Sequence, residues 1–143
     1  MASEAEEEWT MILLEVEDER RLYRMRLAPP EAVDPARFCE SVIVEWRYAD
    51  AGLPDRETNA AMMAFEELLD ALDDPAGNSL MLHAYTGAGI KEWCYYARDY
   101  AQFMRDLNTA LKGQPRFPIE IFHDHDPVWK YWNGIKEFAT RKE

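Results

Sequence analysis

Between residues 41 and 123 the hydrophobic period of the chain switches in one order: strand, helix, strand, strand, helix, strand. That order limits the folds open to it. Residues 41–48 alternate Val42, Val44, Trp46 and Tyr48 against Ile43, Glu45 and Arg47, which predicts a strand with one buried face. Over 57–72 the period lengthens. Met62, Phe65, Leu68, Leu69 and Leu72 share a helical face, while Glu66, Glu67, Asp70, Asp73 and Asp74 fall on an arc of about 120° at roughly 100° per residue. Asp74, Pro75 and Gly77 end this acidic-striped helix. Strands are predicted over 79–85 and 90–97, joined by a Thr86-Gly87-Ala88-Gly89 hairpin turn. No helix follows that turn and a third glycine is missing, so it does not read as a phosphate-binding loop. Asp99 and Gln102 form a helix-capping pair ahead of Phe103, Leu107 and Leu111, and Gly113 stops that helix. A last strand is predicted over 117–123, alternating Phe117, Ile119 and Ile121 with Pro118, Glu120 and Phe122.

The expected fold is therefore α+β: a ferredoxin-like βαββαβ arrangement, with an antiparallel sheet and two helices on one of its faces. Two additions flank it. Residues 9–16 and 21–28 predict an N-terminal hairpin around 17–20, and Pro29, Pro30 and Pro35 break the chain after it. Asp126-Pro127 has the chemistry of a cap and first helical residue, so a short C-terminal helix is expected over 128–138, with Trp129, Trp132 and Ile135 as its apolar stripe. A length of 143 residues suits one domain. Its expected parts are an acidic flexible start (1–8), the hairpin and linker (9–35), the core (41–124), and the helix and tail (126–143).

Charge narrows the function classes. The chain carries a formal net charge of −12 from 28 acidic and 16 basic residues. Residues 1–20 hold eight acids against Arg20, and 57–78 hold six acids and no base, so the remainder is close to neutral. Phosphate binding relies on clustered Lys and Arg, so neither nucleic acid nor an anionic membrane is expected as a partner. The start, MASEAEEE, has no basic residue and no apolar run, which predicts no secretory signal and a cytoplasmic protein with Cys39 and Cys94 as free thiols. Cys94 sits inside an apolar strand and is expected in the core.

A set of residues spread along the chain resembles a bacterial domain family of unknown function. They are Trp46-Arg47-Tyr48, Gly52-Leu53-Pro54, Glu66-Glu67-Leu68, Gly89-Ile90-Lys91-Glu92-Trp93, Tyr95-Tyr96, Phe103, Leu107-Asn108, Phe117-Pro118-Ile119-Glu120, and Asp126-Pro127 with Trp129 and Tyr131. The resemblance implies a ferredoxin-like fold, similar in shape to the regulator B of ribonuclease E activity, which acts by binding an enzyme. It implies no reaction and no catalytic residue.

Three constellations are candidates for function. The sheet face away from the two helices is expected to carry Glu45, Arg47, His83, Tyr85, Glu92 and Tyr96, with Ile43, Met81, Glu120 and Phe122, opposite an inward set of Val42, Val44, Trp46, Leu80, Leu82, Ala84, Ile119 and Ile121. Rings for burial and charges for orientation suit a protein partner or a small ligand. The acidic helix, through Glu66, Glu67 and Asp70, is a second contact surface. His123, His125 and Asp126 are the alternative, as the site of a metal-dependent or carboxylate-based hydrolase, since two histidines that share one side of an extended chain and a carboxylate are suitable ligands of a divalent metal. The expectation is a non-enzymatic protein-binding or regulatory module with no cofactor, either a monomer or a homodimer closing its open sheet face; a small-molecule sensor is a further alternative.

Overall fold

The computed structural model describes residues 9–31 and 33–141, so the expected acidic start at 1–8 lies outside the described residues. Strands β1 (Trp9–Val16) and β2 (Glu19–Arg26) pair antiparallel with Val16 opposite Glu19, leaving a two-residue turn at Glu17-Asp18. Both turn residues have positive φ, 53° and 65°, the mirror-image turn whose twist matches that of the strands it joins. This is the expected hairpin, made without glycine.

The rest of the chain supplies β3 (Glu40–Arg47), α1 (Arg56–Leu68), β4 (Ser79–Gly87), β5 (Ile90–Ala97), α2 (Tyr100–Leu111), β6 (Ile119–His125) and α3 (Lys130–Thr140). The six strands form one sheet in the order β1-β2-β4-β5-β3-β6, every pairing antiparallel. The fold is α+β, and among the described residues no helix is long and apolar enough to cross a membrane.

Of the boundaries that differ from expectation, three have a clear local reason. The acidic helix ends at Leu68 and tightens into a 3-10 turn over Asp70–Leu72, where Asp73 turns inward and its carboxylate accepts from the Met81 N–H at 3.0 Å. The last strand begins at Ile119, the first residue opposite Trp46; Phe117 instead packs from the loop against Phe65, with ring centroids 4.8 Å apart. The C-terminal helix starts at Lys130, because Trp129 sits in the left-handed region (φ 55°) at the end of a turn in which its N–H bonds to the Asp126 carbonyl.

Both faces of the sheet bury apolar side chains. On one face α1 and α2 cover Val42, Val44, Trp46, Met81, Ala84, Trp93 and Tyr95, with Met62, Phe65, Leu69, Phe103 and Leu107 closing from above. On the other, α3 and the segment around Val33 and Phe38 cover Tyr23, Met25, Leu80, Leu82, Cys94 and Tyr96, with Trp129 and Trp132 inserted. Each of these large side chains contributes about 1.5–3 kcal/mol by leaving water. The expected assignment of faces therefore needs correction in β4. Met81 lies opposite Tyr95 while His83 lies opposite Cys94, so Leu82 is an extra residue in the strand. The bulge shifts the phase of alternation. Leu80 and Leu82 join the α3 side, Met81 joins the α1–α2 side, and His83, Ala84 and Tyr85 keep their expected faces.

Candidate functional site

On the α3 face the helix covers β2, β4 and β5, and beside it the surface of β3 and β6 lies in an open cleft of about 1010 Å³. Ile43, Phe122 and Ile135 supply apolar lining, and Ser41, Glu45, Glu92, Lys130 and Tyr131 supply polar groups. Register explains the acidity: Glu45 of β3 is paired with Glu92 of β5 and Glu120 of β6, so three carboxylate side chains stand in one row across three strands. Like charges directly opposite one another are unfavourable. Glu92 is drawn out of that row, with Oε2 2.8 Å from His83 Nε2 and accepting from the Tyr131 hydroxyl at 2.7 Å. Burial, and then the charge of Glu92, push the Tyr131 phenol far above its ordinary value, so it remains a neutral donor. His83 is fully buried, and its Nδ1 has no hydrogen-bond partner among the described residues.

A second polar tie holds α3 on the sheet. The Tyr96 hydroxyl donates to Asp126 Oδ2 at 2.6 Å, and the N–H groups of Lys130 and Tyr131 donate to the same carboxylate at 2.7 and 3.0 Å. Asp126 thus satisfies the first N–H groups of the helix, but from before the turn: Trp129, not Asp126, holds the cap position and Pro127 is not the first helical residue. Burial alone would raise its carboxyl pKa, but the bonds from Tyr96 and the two backbone N–H groups outweigh this and hold it below the ordinary value of 3.8. The indole N–H groups of Trp129 and Trp132 add bonds to the carbonyls of Phe38 (2.8 Å) and Arg26 (3.2 Å).

The expected face residues are therefore divided. Glu45 and Glu92 line the cleft and His83 lies behind Glu92. Tyr96 is buried beneath α3 with Asp126, so this part of the face is covered. Tyr85 packs on Tyr23 with centroids 4.9 Å apart, and burial raises its phenol pKa. Arg47 is exposed at the far end of β3. On the opposite face, Glu66 accepts from Arg24 at 2.7 Å and from the Trp93 indole at 2.8 Å, leaving Glu67 and Asp70 as the exposed acids of the trio.

The two histidines converge, but not with Asp126. His123 and His125 pair in register with Val42 and Glu40, on the α1–α2 side of the β6 edge, and both rings meet the Glu40 carboxylate. His123 Nε2 is 2.6 Å from Oε1, and His125 Nδ1 is 2.5 Å from Oε2. The His123 ring also stacks on Tyr100 of α2, with centroids 3.8 Å apart and ring planes nearly parallel at 2°. His83 and Glu92 meet each other without His123. Sequence reading passed over Glu40, Cys39 and Tyr131 as site residues. Glu40 and Cys39 precede any periodic signal, and only the β3–β6 pairing across more than eighty positions brings them to the histidines.

Fold and site together define an α+β domain whose single sheet is packed by two helices on one face and by one helix beside an open, acid-lined cleft on the other. The chain belongs to a family of unknown function, DUF695, whose model matches residues 7–134. No curated protein matches its sequence.

Proposed function

We propose that the chain is a non-enzymatic protein-binding module that takes an apolar and basic segment of a partner protein into the cleft beside α3. The observation that carries this reading is the cleft's size and lining. About 1010 Å³ stands at the upper limit of small-ligand pockets, and Phe122 and Tyr131, 47% and 37% exposed, present rings to whatever enters. Glu45 and Asp124 favour a cationic partner over an anionic one. The engagement of Glu66 inside the fold shifts the recognition surface from the acidic helix to this cleft. A ferredoxin-like core is part of the reading, supported by the strand order β4-β5-β3-β6 with α1 and α2 on one face. A reducing, cytoplasmic setting is also part of it, supported by Cys39 and Cys94 being free thiols.

Selection from a random peptide library against the full chain tests the proposal. Enrichment of basic, aromatic or aliphatic peptides that no longer bind after Phe122→Asp with Ile135→Glu supports it. Absence of enrichment, equal binding by the double variant, or a stabilising metabolite occupying the cleft instead, would overturn it. A homodimer seated on the same cleft would be seen as a concentration-dependent mass that the double variant abolishes, and would replace the partner with a second copy.

A further inference from the structure

We propose that Cys39, Glu40, His123 and His125 form a binding site for a divalent transition-metal ion, Zn²⁺ by ligand chemistry, where β3 begins and β6 ends. The Cys39 thiol, a Glu40 oxygen and a His125 ring nitrogen all lie within 4.8 Å of one another. Cys39 Sγ is 3.5 Å from Glu40 Oε2, and His123 Nε2 meets the other Glu40 oxygen at 2.6 Å. Two donors of a tetrahedral zinc ion stand roughly 3.3–3.8 Å apart. The Cys39, Glu40 and His125 donors therefore need a contraction of about 1 Å at their widest, within the reach of ordinary side-chain rotation, and His123 joins from the other side of the Glu40 carboxylate. In the metal-free arrangement the carboxylate already gathers both imidazoles; on binding an ion, the Cys39 thiol releases its proton to solvent and each imidazole offers a ring-nitrogen lone pair.

The register of the strands is what assembles the site. Glu40 and His125 are directly paired, and His123, two residues earlier, points to the same side. The frame is held on each flank. The Asp126 N–H donates to the Cys39 carbonyl at 2.6 Å, the Ser41 hydroxyl donates to the Asp124 carbonyl at 3.3 Å, and Tyr100 stacks on His123. Access is open, since the His125 side chain is 65% exposed while that of Glu40 is 18% exposed. A bare ion pair between a glutamate and two histidines does not call for a neighbouring thiol; a thiolate, imidazole and carboxylate set does suit Zn²⁺ and excludes Mg²⁺ and Ca²⁺, which take oxygen ligands. Asp126, bonded to Tyr96 and the start of α3, takes no part.

His123 and His125 also border the cleft, but the metal proposal does not rest on the binding reading, and its test reads the metal alone. Chelator-treated full-length protein is titrated with Zn²⁺ by calorimetry and with Co²⁺ by absorbance. The expected result is one ion per chain, a thiolate-to-Co²⁺ charge-transfer band, and loss of that band in Cys39→Ser. Zn²⁺ affinity should fall by more than about tenfold in both Cys39→Ser and His125→Ala, while Glu45→Gln in the cleft leaves it unchanged. Both metal-site substitutions fall at half-buried or exposed positions, and circular dichroism verifies that the variants fold. Absence of stoichiometric uptake, no thiolate band, or an affinity unchanged in either variant would overturn the proposal.

Discussion

The two faces of the sheet are closed by different means. On the α1–α2 side, aromatic and aliphatic side chains meet in one continuous cluster, with Phe65 in contact with Trp46, Trp93 and Phe117 at centroid distances of 4.8–5.6 Å. On the α3 side a single helix of 11 residues covers part of the sheet, and hydrogen bonds supplement its packing: Tyr96 and Asp126, the two indoles on backbone carbonyls, and Tyr131 on Glu92. Apolar burial is non-directional and fills its face; hydrogen bonds are directional and fix a helix in place without sealing the sheet beside it. The cleft is the result of the second strategy.

Variants that attack each face should expose this difference. Phe65→Ala removes the centre of the filled face, and urea unfolding should show a loss of about 3–5 kcal/mol; a loss near 1 would mean that the face relaxes and is not packed as described. Asp126→Ala removes the acceptor of the first helical N–H groups and strands the buried Tyr96 hydroxyl, for an expected loss of about 2–4 kcal/mol, with weakened near-ultraviolet dichroism from Trp129 and Trp132. The same carboxylate sets a pH signature. Because its folded pKa is depressed below 3.8, its contribution is complete above that value and is lost as pH falls through the folded pKa. The stability gap between the native chain and Asp126→Asn should therefore shrink below about pH 3.8, and a gap that widened in acid would reverse the assignment. Within the acidic helix, Glu66→Ala should cost about 1–3 kcal/mol by leaving the buried Trp93 N–H without an acceptor, whereas Glu67→Ala should stay within about 0.5 kcal/mol. Equal effects would restore the acidic stripe as a uniform surface. Smallest of all, Phe122→Asp should change thermal stability by less than about 0.5 kcal/mol, since its ring is 47% exposed, while abolishing capture of library peptides.

Local pattern reached the α+β class and the order of elements because alternation and helical period are properties of neighbouring residues. The Ser79–Gly87 strand shows where that stops. A bulge at Leu82 changes the face of Leu80 and Met81, and nothing adjacent in the sequence marks it, because five apolar or half-polar residues in a row fit either phase. Asp126 was legible as an acceptor for the first N–H groups of a helix, since a carboxylate ahead of proline carries its own chemistry; the left-handed Trp129 that takes the cap position and delays the helix was not. At the candidate sites the limit is distance along the chain. His123 and His125 declare themselves as a pair, but the partner that gathers them, Glu40, lies more than eighty residues away, and Asp126, their near neighbour, belongs to another network.

The placement of β1 at one edge of the sheet, with Met11 and Leu13 61% and 60% exposed, bears on how the protein behaves in concentrated solution. Thr10 to Leu14 is an uncharged run with strong β character and, among the described residues, no strand paired on its outer side, the kind of edge along which copies stack into aggregates. Four glutamates lie in the eight residues before it, and Glu15, Glu17 and Asp18 follow. Two such edges must bring like charges together before they can pair, a gatekeeping repulsion that weakens once salt shortens its reach to about 8 Å or less. The acidic residues flanking this edge in the sequence therefore oppose edge-to-edge pairing of copies, and more weakly as ionic strength rises.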